Sequence, residues 1–161
     1  MDESALVNAS PLIFFSRSHQ LELLRQFARK IFVPELVAKE INMKGPEDTT
    51  AKVLENTPWL EVVPSKTVPD IISDWALGPG ESAVLALAYE NPGMEVIIDD
   101  LSARKCAAFL KIPVRGTLGI VLVAKKRGLI PQARPIIEDL LRSGLYLSRT
   151  VIDEALKRVG E

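Results

Sequence analysis

The chain has 161 residues, 47% hydrophobic and 25% charged, with 20 Lys or Arg against 21 Asp or Glu. This predicts one globular domain over 1–161 with a full core, and a net charge of −1 excludes a polycation that grips nucleic acid by bulk charge alone. No apolar run nears the roughly 20 residues of a bilayer span, Met1-Asp2-Glu3 is acidic where a secretory leader is basic, and the single Cys106 excludes an internal disulfide, so a cytoplasmic protein with no membrane partner is expected.

In chain order, Ala5 to Val7 is a short buried strand, and Ser10-Pro11 opens a helix as N-cap and first-turn proline. Leu21, Leu23, Leu24 and Phe27 form a second helical stripe, and Ile31 to Val33 a second strand. Pro34 starts a helix with Leu36, Val37 and Ile41 inside and Glu40 near its end. A helix over Pro46 to Asn56 and a peripheral strand over Trp59 to Val63 follow, then a helix over Pro69 to Ala76. Gly78-Pro79-Gly80 breaks the chain before an apolar helix from Glu81 to Glu90. Val96 to Ile98 is the clearest buried strand. The helix Ser102 to Leu110, the strand Pro113-Val114 and the helix Thr117 to Lys126 come next. Two helices close the chain, Pro131 to Arg142 and Ser148 to Val159. Strands alternating with helices predict an α/β fold with a central, mostly parallel sheet.

In such sheets, strand ends and helix starts converge on one crevice. Asn8 leaves the first strand, Asp99 and Asp100 leave the strongest one, Glu81 opens a helix and Glu40 rides another. Gathered carboxylates repel, and a hard cation such as Mg²⁺ or Mn²⁺ relieves the repulsion with oxygen ligands. Such a centre suits phosphodiester hydrolysis and requires no His, Cys or Lys. Each residue alone has a plainer reading: Asp99-Asp100 and Glu81 also suit helix N-termini. From Leu101 to Arg142 nine Lys or Arg stand against two acids, whereas residues 1 to 100 hold 16 acids and eight bases. An acidic part holding metal beside a basic part holding a polyanion suits a nuclease, although charge runs also serve as solvated faces.

Other conspicuous residues favour structural roles. His19 sits in a polar turn, and a single His cannot complete a Ser/His/Asp triad. Gly78-Pro79-Gly80 lacks the Gly-Lys-Ser/Thr of a phosphate loop. Trp59 and Trp75 suit packing better than base stacking, and Cys106 suits a buried position.

Val7 to Ile13, with Asn8 where an Asp is usual, resembles the opening of a PIN domain. Val33 to Ile41, with Glu40, resembles its second motif, and Gly80 to Ala88, with Glu81, its third. Ile97 to Arg104 resembles the fourth, and Gly116-Thr117-Leu118-Gly119 followed by Ala124 to Pro131 resembles the C-terminal part of the same branch. The resemblance implies a three-layer α/β/α PIN-like fold and Mg²⁺- or Mn²⁺-dependent endoribonuclease activity on RNA. It also implies a homodimer and, as in many relatives, a small antitoxin partner. The implied metal and catalytic set is Glu40, Glu81, Asp100 and neighbouring Asp99, with Asn8 a further ligand and Ser10 and Thr117 as supporting hydroxyls. Asn8 brings an oxygen without a charge, which motivates an alternative: a catalytically silent module that binds RNA or protein. A phospho-receiver domain ranks below both, because its acidic pair follows the first strand.

Overall fold

A computed structural model describes residues 2–161. The leader reading rests partly on Met1, which lies outside the described residues. The elements run β1 (Asp2–Val7), α1 (Ala9–Arg17), α2 (Glu22–Phe27), β2 (Ala28–Pro34), α3 (Glu35–Asn42), α4 (Thr49–Asn56), β3 (Leu60–Val63) and α5 (Asp70–Ser73). They continue with α6 (Pro79–Glu90), β4 (Glu95–Ile97), α7 (Leu101–Phe109), β5 (Val114–Arg115), α8 (Thr117–Lys126), α9 (Arg134–Arg142) and α10 (Arg149–Arg158). The strands form one sheet in the order β3-β2-β1-β4-β5, parallel throughout, and with its helices it makes a three-layer α/β/α fold.

Parallel sheets are covered on both faces, so central strands are apolar at every position rather than alternating. Ala5, Leu6 and Val7 in β1, and Val96, Ile97 and Ile98 at β4, are all fully buried. Helix α6 behaves likewise: Ser82 to Ala88 are buried without a break, because the helix packs on α3, α5 and α7 as well as on the sheet. Helix α8 packs on α2 and α9, while α1 touches α3, α4 and α9. Edge strand β3 is four residues long, is followed by Pro64 and leaves Val62 exposed, which limits further strand pairing. Among the described residues no helix is long and apolar enough to cross a membrane.

Several boundaries differ from the sequence-based expectation, each for a local reason. The first helix begins at Ala9 with Asn8, not Ser10, at its N-cap. Helix α4 begins at Thr49 rather than Pro46, because the Asp48 carboxylate accepts hydrogen bonds from Thr50 N and Ala51 N, both at 3.1 Å. The helix expected over Pro69 to Ala76 is only Asp70–Ser73, and Ala76 turns the chain away with φ 53°. Helix α9 starts at Arg134 rather than Pro131, where the Glu161 carboxylate accepts from Ala133 N at 2.6 Å and Arg134 N at 3.1 Å. Leu36, expected inside, is exposed, because α3 turns Val37, Ala38 and Ile41 inward instead.

Candidate functional site

Chain connections run outward in opposite directions from the pair β1 and β4, so the crevice of this sheet opens at their C-terminal ends. Val7 pairs with Ile97, and Asn8 N donates to Ile97 O at 3.0 Å, extending the ladder by one residue. This bond fixes Asn8 as the last extended residue of β1 and the N-cap of α1, with φ −84° and ψ 170°. An N-cap Asn ordinarily turns its side-chain oxygen onto the first helical N–H groups. Asn8 makes no such bond. Its side chain is only 3% exposed, and Oδ1 has no hydrogen-bond donor among the described residues.

Gly80, in the first turn of α6, explains what meets there. A Cβ on Gly80 would stand 3.3 Å from Asn8 Oδ1 and 3.5 Å from both Glu40 Oε2 and Val37 Cγ2. The end of β1, the last turns of α3 and the start of α6 therefore converge on a residue with no side chain. Glu40 is exposed at this meeting point, next to the buried face of α3. Glu81 is half-buried and folds back over the N-cap, with Oε2 2.5 Å from where a Gly78 side chain would begin. A carboxylate there is favoured by the positive end of the helix dipole.

Asp99 lies one residue beyond buried Ile98 and is tied to the start of α8. Thr117 N donates to Asp99 Oδ1 at 2.7 Å, and Thr117 Oγ1 donates to Oδ2 at 2.6 Å. Gly116 makes room for this contact: a Cβ on it would lie 3.0 Å from Asp99 Oδ1 and 3.0 Å from Arg104 Nη1. Asp100 is exposed and caps α7, its Oδ2 accepting from Ala103 N at 2.9 Å. Ser10 is exposed in the first turn of α1.

The acids thus fall into groups. Asn8 and Glu40 meet at Gly80, Glu81 lies against Gly78, and Asp99 joins Thr117 and Arg104 at Gly116. Among the described residues no three His, Cys, Asp or Glu gather into a ready-made metal cage. The donors at Gly80 nevertheless fit a hard cation. A buried carbonyl oxygen left without a donor costs about 1–3 kcal/mol, and here a carboxylate stands beside it. One or two carboxylates completed by water are enough for Mg²⁺.

Sequence reading missed Gly80 and Gly116 as points of close approach, and treated Arg104 only as charge. The signal for Gly116 was its place directly before Thr117, at a helix start. Part of the basic stretch is engaged within the fold. The guanidiniums of Arg115 and Arg127 lie 5.7 and 5.5 Å from the ring centre of buried Phe27. Arg115 Nε also lies 2.8 Å from Glu95 Oε1. Lys125 donates to Pro131 O at 2.6 Å and pairs with Glu161, and Arg142 pairs with Asp139. Arg115, Lys125 and Arg127 therefore contribute to packing within the fold. Cys106 is buried, and burial pushes its thiol above the ordinary value. His19 is exposed in a turn with φ 59°.

A family model, the DUF3368 PIN domain, matches residues 4–161. No curated protein matches the chain. PIN domains have a nuclease-type fold, bind nucleic acids and typically use divalent metal ions. Because the match takes in the crevice and every strand and helix around it, the chain belongs to the PIN-domain family.

Proposed function

We propose that this chain is a Mg²⁺- or Mn²⁺-dependent endoribonuclease that hydrolyses RNA phosphodiester bonds at the β1/β4 crevice. The observation that carries the reading is the buried, donor-less Asn8 Oδ1 beside the Glu40 carboxylate at Gly80. Asn8 and Glu40 would hold the ion, with Asp99, Glu81 and Asp100 adding negative charge around it. When bound, the ion supplies charge at the phosphate and lowers the pKa of a water. A carboxylate of the crevice that does not hold the ion would take the proton from the attacking water. The water oxygen would then form a new bond to phosphorus as the bridging P–O bond breaks, and the departing ribose oxygen would take up a proton from solvent water. Thr117 fixes both oxygens of Asp99, so that carboxylate holds one orientation throughout. Asp100 starts α7 and thereby keeps Arg104 facing Asp99.

Homodimerisation and silencing by a small antitoxin protein belong to the same reading. A second reading is a catalytically silent RNA- or protein-binding module. It is favoured by the missing charge at Asn8 and by the full engagement of Asp99 with Thr117. Cleavage of a structured RNA panel in Mg²⁺ or Mn²⁺ separates the two, comparing wild type with Glu40→Gln, Asp99→Asn and Asp100→Asn. Cleavage by wild type that Glu40→Gln abolishes supports the nuclease. Equal cleavage by all four proteins would trace the activity to a contaminant. No cleavage at all, with RNA still bound, would establish the silent module.

A further inference from the structure

A cleft of about 370 Å³ opens directly beside Asp99, between the start of α8 and the loop joining α9 to α10. Its walls differ in chemistry. Leu118 and Leu122 of α8, with Val151 of α10, make an apolar side, Arg104 and Asp99 close the polar end, and Tyr146 stands at the rim. Gly144, at φ 109°, ends α9 and turns the chain, and Leu145 N donates back to Leu140 O at 3.1 Å. Leu145 is then buried and Leu147 half-buried, which leaves the intervening Tyr146 pointing outward with 87% of its surface exposed. An aromatic ring this exposed, carried on a pinned backbone, contributes little to the core.

Arg104 complements it. Its Nη1 and Asp99 Oδ1 each lie 3.0 Å from where a Gly116 side chain would begin, so the guanidinium stands beside the acid. Yet no hydrogen bond or ion pair from the Arg104 side chain is made among the described residues, unlike those of Arg115, Lys125 and Arg142. A planar cation near Asp99 suits a phosphate oxygen. An exposed aromatic side chain at the mouth of a partly apolar cleft can stack one nucleobase.

We infer that this cleft is a nucleotide subsite for unpaired RNA, in which Tyr146 stacks the base and Arg104 holds the phosphate next to the scissile bond. The inference rests on the nuclease reading of the adjoining crevice and adds the residues that position a nucleotide beside it. A base held in a duplex stays stacked on its neighbours, so only a strand free to splay a base outward can fill the cleft. Tyr146 and Arg104 are positioning residues here, and both are exposed, so replacing them removes nothing from the core.

The test is binding in EDTA at low salt, where the full chain cannot cleave. Fluorescence anisotropy compares a short labelled oligoadenylate with its duplex with oligouridylate. The single strand should bind more tightly. Tyr146→Ala should weaken single-strand binding about tenfold, the loss expected for one stacked base, while Tyr146→Phe should bind like wild type. Arg104→Gln should lower the slope of log affinity against log salt by about one. Wild-type affinity in Tyr146→Ala, an unchanged salt slope in Arg104→Gln, or equal affinity for duplex and single strand would overturn the subsite. Metal-dependent cleavage is read separately. Cleavage lost in Glu40→Gln with binding unaltered in Tyr146→Ala would sink the subsite but keep the nuclease. The expected binding pattern without any cleavage would do the reverse.

Discussion

Asn8 Oδ1 and Glu40 Oε2 approach the same face of Gly80, each within 3.5 Å of where a side chain would begin. A strand end and a helix more than thirty residues apart in sequence can share that point only because the first turn of α6 is bare there. The glycine is therefore part of the site although it carries no functional group.

Gly80→Ala should separate stability from function. Alanine is the better helix former, but in this first turn the gain is small and is offset by the close contact with Asn8, so Tm should change little. The new methyl must displace Asn8 Oδ1 by a few tenths of an ångström, whereas Glu40 Oε2 at 3.5 Å stays in ordinary contact with it. Cleavage should drop roughly tenfold or more from that misplacement. Mn²⁺ affinity by calorimetry should fall with it. Unchanged affinity would mean that Asn8 Oδ1 does not hold the ion.

Asn8→Asp should tighten Mn²⁺ binding, on the order of tenfold, by adding a charged oxygen to the same position. Without metal the new carboxylate sits buried beside Glu40, and like-charge repulsion should cost about 1 kcal/mol or more. Thermal melts with and without Mn²⁺ should then diverge more for the variant than for wild type. Equal divergence would remove Asn8 from the ligand set.

The order of elements was legible because apolar runs such as Val96 to Ile98 are bounded by Gly, Pro and Asp, and because a parallel sheet buries the inner runs of its central strands on both faces. Strand ends followed from that, and with them the acids of the crevice. What stayed hidden depends on partners far away in sequence. Glu161 caps α9 from the other side of α10, and no local pattern announces it. Arg115 and Arg127 read as surface charge, yet they flank Phe27 from across the fold. Asn8 looked like a ligand by position, but that its oxygen declines the helix cap is a matter of side-chain orientation.

Thr117→Ala tests whether orientation of Asp99 matters. The hydroxyl donates at 2.6 Å to a carboxylate, within a fully buried residue. Losing such a bond should cost about 2 kcal/mol of stability. The rate of cleavage should also fall, by roughly tenfold, as a charged group beside a metal site loses the partner that orients it. Thr117→Ser keeps the hydroxyl and should recover most of the rate. A serine variant as slow as the alanine one would assign Thr117 to packing alone.

Glu161 carries the pH dependence that can be signed. The Ala133 N–H bond is the largest influence holding its carboxyl below the ordinary glutamate value of 4.5, helped by Arg134 N–H and by Lys125 against the opposing effect of burial. The folded state therefore prefers the charged form. Its stabilising share is fully present above the unfolded-state value and is lost as pH falls through the lower, folded one. Wild type should melt above Glu161→Gln at neutral pH, and the two melting curves should converge as pH falls below 4.5. A gap in Tm that stays constant down to the acid limit would show that the carboxylate's charge plays no part in closing α10 onto α9.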